Sequence, residues 1–71
     1  MNRSTLIAFG KRLRELRLRQ KLSQEQLALA ADLDRSYVGG VERGERNVSL
    51  INLKKLAQAL HTDVSTLLRG V

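Results

Sequence analysis

Residues Ser23 to Gly44 read SQEQLALAADLDRSYVGGVERG, two short helix-forming runs separated by Asp32-Leu33-Asp34 alone. Ser23 followed three residues later by Gln26 matches a capping box, so a helix is expected to begin there. Leu27, Ala28 and Ala31 give that helix a small-residue face suited to close approach. The three residues that follow are too few for a relaxed loop. Asp32 can take the left-handed turn conformation, Leu33 can plug the core and Asp34 can cap the next helix. In that next helix Val38 and Val41 stand at helical spacing, with Gly39 and Gly40 between them. Each glycine costs a helix interior about 1 kcal/mol relative to alanine, so something else must offset the pair. Gly44 is suited to end the helix as a left-handed cap.

The flanking sequence completes a five-helix, all-α pattern. Upstream, Leu6, Phe9, Leu13 and Leu16 step by 3, 4 and 3, with Ser4 placed to cap the helix and Lys11, Arg12, Arg14, Glu15 and Arg19 off the apolar stripe. Downstream, GERNV forms a loop, Ser49 caps a fourth helix, and Leu50, Leu53, Leu56, Ala57 and Leu60 are expected to form its buried side. After Asp63, Val64, Leu67, Leu68 and Val71 fall at i, i+3, i+4 and i+7 of a last short helix. Zero prolines and only two aromatic residues agree with helices throughout, and no repeat or low-complexity linker interrupts them.

Seventy-one residues make one small domain, 1–71, with room for a single core. Without cysteine there is no disulfide framework, which suits a reducing cytoplasm. No apolar run approaches the roughly 20 residues a membrane span needs, and LIAF is too short for a secretory signal. A net charge of +6 and a pI near 10.9 imply an anionic partner. The charge is concentrated: Arg3, Lys11, Arg12, Arg14, Arg17, Arg19 and Lys21 face only Glu15 within residues 1–21. A merely solvated basic face is the plainer alternative.

A pair of helices joined by a three-residue turn has the spacing of a helix-turn-helix, whose second helix enters the DNA major groove. Over about residues 7–68 the run LRELRLRQKLSQEQLALAADLDRSYVGGVERGERNVSLINLKKLAQAL resembles the phage repressor and Cro type (XRE family) of helix-turn-helix protein. Through LDRSYVGGVERGERNVS it is most similar to the small dimeric controller proteins of restriction-modification systems. The chain departs from the family in carrying Asp32 and His61 where glycine is frequent and Val48 where proline is.

If Val38 and Val41 point inward, residues 35, 36, 39 and 40 lie on the opposite side of their helix and form the expected base-reading surface. Gly39 and Gly40 would let the backbone approach base edges, the plainer alternative being that they merely relieve crowding against the preceding helix. Arg35 is suited to guanine O6 and N7, or to a phosphate, with Ser36 supplementing it. Ser23, Gln24, Tyr37, Arg43, Arg46 and Asn47 are placed for phosphate oxygens, the Tyr37 ring being equally suited to packing on the surface. The resemblance further implies that Arg17 and Glu42 form a structural ion pair. It also implies that residues 63–71, through Val64, Leu67, Leu68 and Val71, contribute a dimer interface.

The expected function is therefore sequence-specific binding of double-stranded DNA by a homodimer on a pseudo-palindromic operator, regulating transcription in the cytoplasm. A phage or prophage repressor, or an antitoxin that binds both a toxin and its own promoter, remains the alternative. No catalytic constellation is recognisable, and His61 stands without a second histidine or cysteine to share a metal. No enzyme activity, metal, cofactor, small-molecule ligand or membrane partner is expected.

Overall fold

The computed structural model describes residues 2–71, which form five helices in chain order: α1 Arg3–Arg19, α2 Gln24–Ala31, α3 Arg35–Glu42, α4 Leu50–Ala59 and α5 Val64–Leu67. The first is capped by Asn2, whose Oδ1 accepts from the Thr5 amide at 2.9 Å, so Ser4 lies inside the helix rather than at its cap. At α2 the capping box forms in both directions: the Ser23 amide donates to Gln26 Oε1 at 2.8 Å and the Gln26 amide to Ser23 Oγ at 3.0 Å. Ser49 and Asp63 cap α4 and α5 in one direction only, accepting from the Asn52 and Thr66 amides at 3.1 and 2.7 Å. Asp34 occupies the cap position of α3 with no hydrogen bond from its side chain to the helix.

One device ends each of α1 to α4. The chain crosses into the left-handed region at Lys21, Asp32, Gly44 and His61, with φ between 54° and 77°. The next amide then reaches back five residues, from Leu22 to Arg17 O, Leu33 to Ala28 O, Glu45 to Gly40 O and Thr62 to Ala57 O, at 2.9–3.2 Å. These bonds satisfy carbonyls that a helix end would otherwise leave open. Three of the four left-handed positions carry side chains, which costs each about 1–2 kcal/mol.

The core gathers Phe9 and Leu13 from α1, Leu27, Ala28 and Ala31 from α2, Val38 and Val41 from α3, Leu56, Ala57 and Leu60 around α4, and Leu67 from α5. Leu16, Leu33 and Val64 pack at its edge. Leu50 does not join the buried stripe of α4. It stands in the first turn, 73% exposed, where nothing packs over it. Because α5 is a single turn ending at Leu67, the stripe expected to run on to Val71 is broken: Leu67 is enclosed, while Leu68 and Val71 are exposed.

α1 and α3 meet backbone to backbone. A side chain at Gly10 would place its Cβ 2.5 Å from the carbonyl oxygens of Val41 and Glu42, a separation no real Cβ tolerates. This close approach sets the pose of α3 against the longest helix. Arg12 ties α1 to the other end of the chain, its Nη2 and Nε donating to Thr66 O at 2.9 and 3.3 Å.

Candidate nucleic-acid interface

Val38 and Val41, 0% and 1% exposed, anchor one side of α3 in the core. Burying the two side chains contributes about 1.5–3 kcal/mol each, which outweighs the roughly 2 kcal/mol that the glycine pair costs the helix. Arg35 and Ser36 are consequently turned outward and exposed.

Gly39 and Gly40 lie on that outward side but are not bare backbone. Both are buried, because polar side chains fold across them. A Cβ at Gly39 would meet Arg43 Nη1 at 3.1 Å and Gln24 Oε1 at 3.4 Å, and one at Gly40 would meet Arg46 Cγ at 2.7 Å. The glycines are therefore the floor of a layer made by Gln24, Arg43 and Arg46. Direct backbone approach of a base edge, as expected from sequence, requires that layer to move. The crowding that the glycines relieve comes chiefly from the two arginines; α2 contributes only the Gln24 side chain.

Each member of the layer is held from behind. Arg43 Nε donates to Glu45 Oε1 at 3.1 Å. Gln24 Nε2 donates to Glu42 Oε1 at 3.0 Å. The Arg46 guanidinium stands over the Tyr37 ring, 5.4 Å from its centroid, a cation–π contact. Tyr37 is itself a strut: its hydroxyl donates to the Asn47 carbonyl at 3.0 Å and accepts from Asn52 Nδ2 at 3.2 Å. That commits the hydroxyl to fixing the α3–α4 loop rather than leaving it open for a phosphate. Ser23 Oγ accepts within the cap, which leaves its hydroxyl hydrogen to donate outward.

Beneath the layer lies the ion pair. Arg17 Nε and Nη2 donate to Glu42 Oε2 and Oε1 at 2.7 and 2.9 Å, and Arg17 Nη1 donates to Leu22 O at 2.8 Å. The Arg17 and Glu42 side chains are 8% and 3% exposed. The hydrogen bond to Glu42 raises the Arg17 pKa above its ordinary value against the opposing effect of burial. Of the seven basic side chains before Leu22, Arg12 and Arg17 are thus spent on internal contacts, while Arg3, Lys11, Arg14, Arg19 and Lys21 remain exposed.

Away from α3, Leu68 and Val71 join Thr5, Phe9, Val48 and Leu53 around a shallow apolar recess of about 110 Å³. Leu50 and Ile51, 73% and 69% exposed, stand on the first turn of α4 between Val48 and Leu53 in the chain. Of the four residues expected at an interface, Leu67 belongs to the core and Val64 packs against it.

The contributions of Gly10, Glu45 and Asn52 were not foreseen from sequence. Gly10 carries a faint signal, a glycine beside the apolar stripe of an otherwise strong helix. Glu45 and Asn52 carry none, since their partners are fixed by the loop between α3 and α4.

Comparison with known proteins gives consistent matches. The helix-turn-helix family model matches residues 13–67. The chain is 42% identical over 69 residues to the control protein C.BamHI of Bacillus amyloliquefaciens, covering 96% of this chain and 85% of that protein. Its fold is similar to the crystal structure of the restriction-modification controller protein C.AhdI from Aeromonas hydrophila, with a TM-score of 0.89, 61% identity and coverage of 90% and 97% of the two chains. It is also similar to the controller protein C.Esp1396I, solved as a tetramer in complex with its natural 35-base-pair operator, with a TM-score of 0.79, 30% identity and coverage of 83% and 78%.

Proposed function

The chain belongs to the helix-turn-helix family, and from that membership we propose that it regulates transcription by binding a pseudo-palindromic operator as a homodimer, as the controller of a restriction-modification system. The observation that carries this is the inward anchoring of Val38 and Val41, which turns Arg35 and Ser36 toward any duplex lying along α3. Arg35 reads guanine through two parallel hydrogen bonds to O6 and N7, and Ser36 assists it. Ser23, Arg46 and Asn47 flank the helix and take phosphate oxygens, which sets register without specifying sequence. Gly39 and Gly40 keep the reading surface low.

One short recognition helix makes few base contacts, so two copies are needed for a selective site. The exposed apolar group of Leu50, Ile51, Leu68 and Val71, next to an apolar recess, supports a self-complementary interface at the C-terminal side of the fold. Two recognition helices would then meet half-sites about one helical turn, or about 34 Å, apart.

Selection of bound duplexes from a random pool tests this. An inverted repeat with a guanine in each half-site is the expected product, bound with an affinity that falls steeply with salt. Recovery of unrelated sequences at equal affinity would reject it.

A further inference from the structure

Two unlike groups lie side by side over Gly39. Gln24 Oε1 and Arg43 Nη1 stand 3.4 and 3.1 Å from the point a Cβ would occupy there. The orientation of the Gln24 amide is not free. Glu42, already accepting twice from Arg17, can only accept, so the nitrogen of the Gln24 amide must face it and the oxygen must face away. Glu45 takes Arg43 Nε, which leaves the Nη atoms forward over the glycines. Among the described residues, Gln24 Oε1 accepts no hydrogen bond and Arg43 Nη1 makes none. The result is one acceptor and one donor over Gly39, the first held by the buried Glu42 and the second paired with the exposed Glu45.

A phosphate oxygen offers only acceptors, and it would repel the forward Gln24 oxygen. In the major groove guanine presents two acceptors, thymine an acceptor and a methyl group, and cytosine a donor alone. Of the bases taken singly, adenine alone presents a donor, N6–H, next to an acceptor, N7. We propose that Gln24 and Arg43 together form an adenine-reading pair, Gln24 Oε1 accepting from N6–H and Arg43 donating to N7, with Gly39 as the cleared ground on which the pair rests. This inference rests on α3 reading DNA as proposed above, and it assigns Gln24 and Arg43 to base recognition instead of the phosphate contacts expected from sequence. Guanine at the same position would keep the Arg43 contact but set its O6 against the Gln24 oxygen. Arg35, which presents donors only, favours guanine and cannot select adenine.

The test compares operator selection by the parent protein, Gln24→Met and Arg43→Met, followed by binding of parent and variants to the selected duplex carrying single-atom analogues. Both variants should lose an adenine preference at the same position of each half-site and keep the rest of the motif. For the parent, 7-deazaadenine (no N7) or unsubstituted purine (no N6 amino group) at that position should weaken binding roughly 5- to 100-fold, the range of a good bidentate contact. The 7-deazaadenine effect should vanish in Arg43→Met and the purine effect in Gln24→Met. For the parent the analogues alter only the DNA, so that arm of the test does not depend on how well either variant folds. A uniform loss of affinity with the motif intact, or indifference of the parent to both analogues, would overturn the pairing while leaving DNA reading in place. A parent that selects no motif at all would overturn the DNA-reading function itself.

Discussion

Arg17 and Glu42, 25 positions apart in the chain, form a two-pronged ion pair that joins α1 to the end of α3 with both side chains almost completely enclosed. The pair holds the recognition helix and at the same time turns Gln24 by accepting from its amide. Glu42→Ala would leave the guanidinium buried with only Leu22 O as a partner. Such a loss costs roughly 3–5 kcal/mol, which thermal or urea unfolding would register directly. A variant that melts with the parent would show the pair to be energetically idle.

Gly40→Ala separates stability from recognition. The added methyl improves helix propensity by about 1 kcal/mol but would sit 2.7 Å from Arg46 Cγ, so Arg46 must shift from its place over the Tyr37 ring. The expected outcome is a melting temperature near that of the parent, the gain in helix propensity offsetting the lost Arg46–Tyr37 contact, together with weaker operator binding in a mobility shift. Equal or tighter binding would show that Arg46 need not stay where it is.

Replacing a left-handed side chain by glycine relieves strain in the fold. His61 has φ 54° and is exposed, so His61→Gly removes the clash of Cβ with the backbone without opening a cavity. After the entropy lost to the more flexible unfolded chain, a net gain of about 1 kcal/mol is expected, or roughly 4–8 °C in melting temperature for a domain of this size.

Asp63 should respond to acid. Its carboxylate accepts the Thr66 amide at 2.7 Å, and this bond, helped by the Thr66 and Ser65 hydroxyls and by Arg69, holds its pKa below the ordinary value. Because the folded value is the lower one, the contribution is complete above the ordinary carboxylate range and disappears as the pH falls through the folded pKa. Carbon chemical shifts of the Asp63 carboxyl should titrate at a lower midpoint than in the unfolded chain. In Asp63→Asn the corresponding acid-side change at α5 should be missing.

Leu68→Glu should abolish association while sparing the protomer, because Leu68 is 39% exposed and borders the apolar recess. Sedimentation should give the mass of one chain, with helical circular dichroism unchanged. A dimer persisting in this variant would move the interface to another face.

The parts of the fold visible in the sequence are those written locally. The capping box at Ser23, the tight turn at Asp32 and the valine spacing of α3 each depend on residues within four positions of one another. Leu50 shows the limit of periodicity, which places a residue on a stripe without revealing whether another element reaches it. Gly10 and Arg12 show the same limit from the other side, since their partners Val41, Glu42 and Thr66 lie more than thirty and fifty positions away and come together only on folding. At the candidate site the outward direction of Arg35 follows from the valines alone. The layer over Gly39 and Gly40 does not, because Glu42 and Glu45 decide how Gln24 and Arg43 are turned.

The short, hydrogen-bonded reversals that end α1 to α4 tie the close of each helix to the chain that follows it. A body of this kind docks as a rigid die: only the long side chains on its face can adjust to an imperfect sequence. Mismatch in the separation or twist of two half-sites must then be absorbed by the nucleic acid, whose cost of bending depends on base steps the protein never touches.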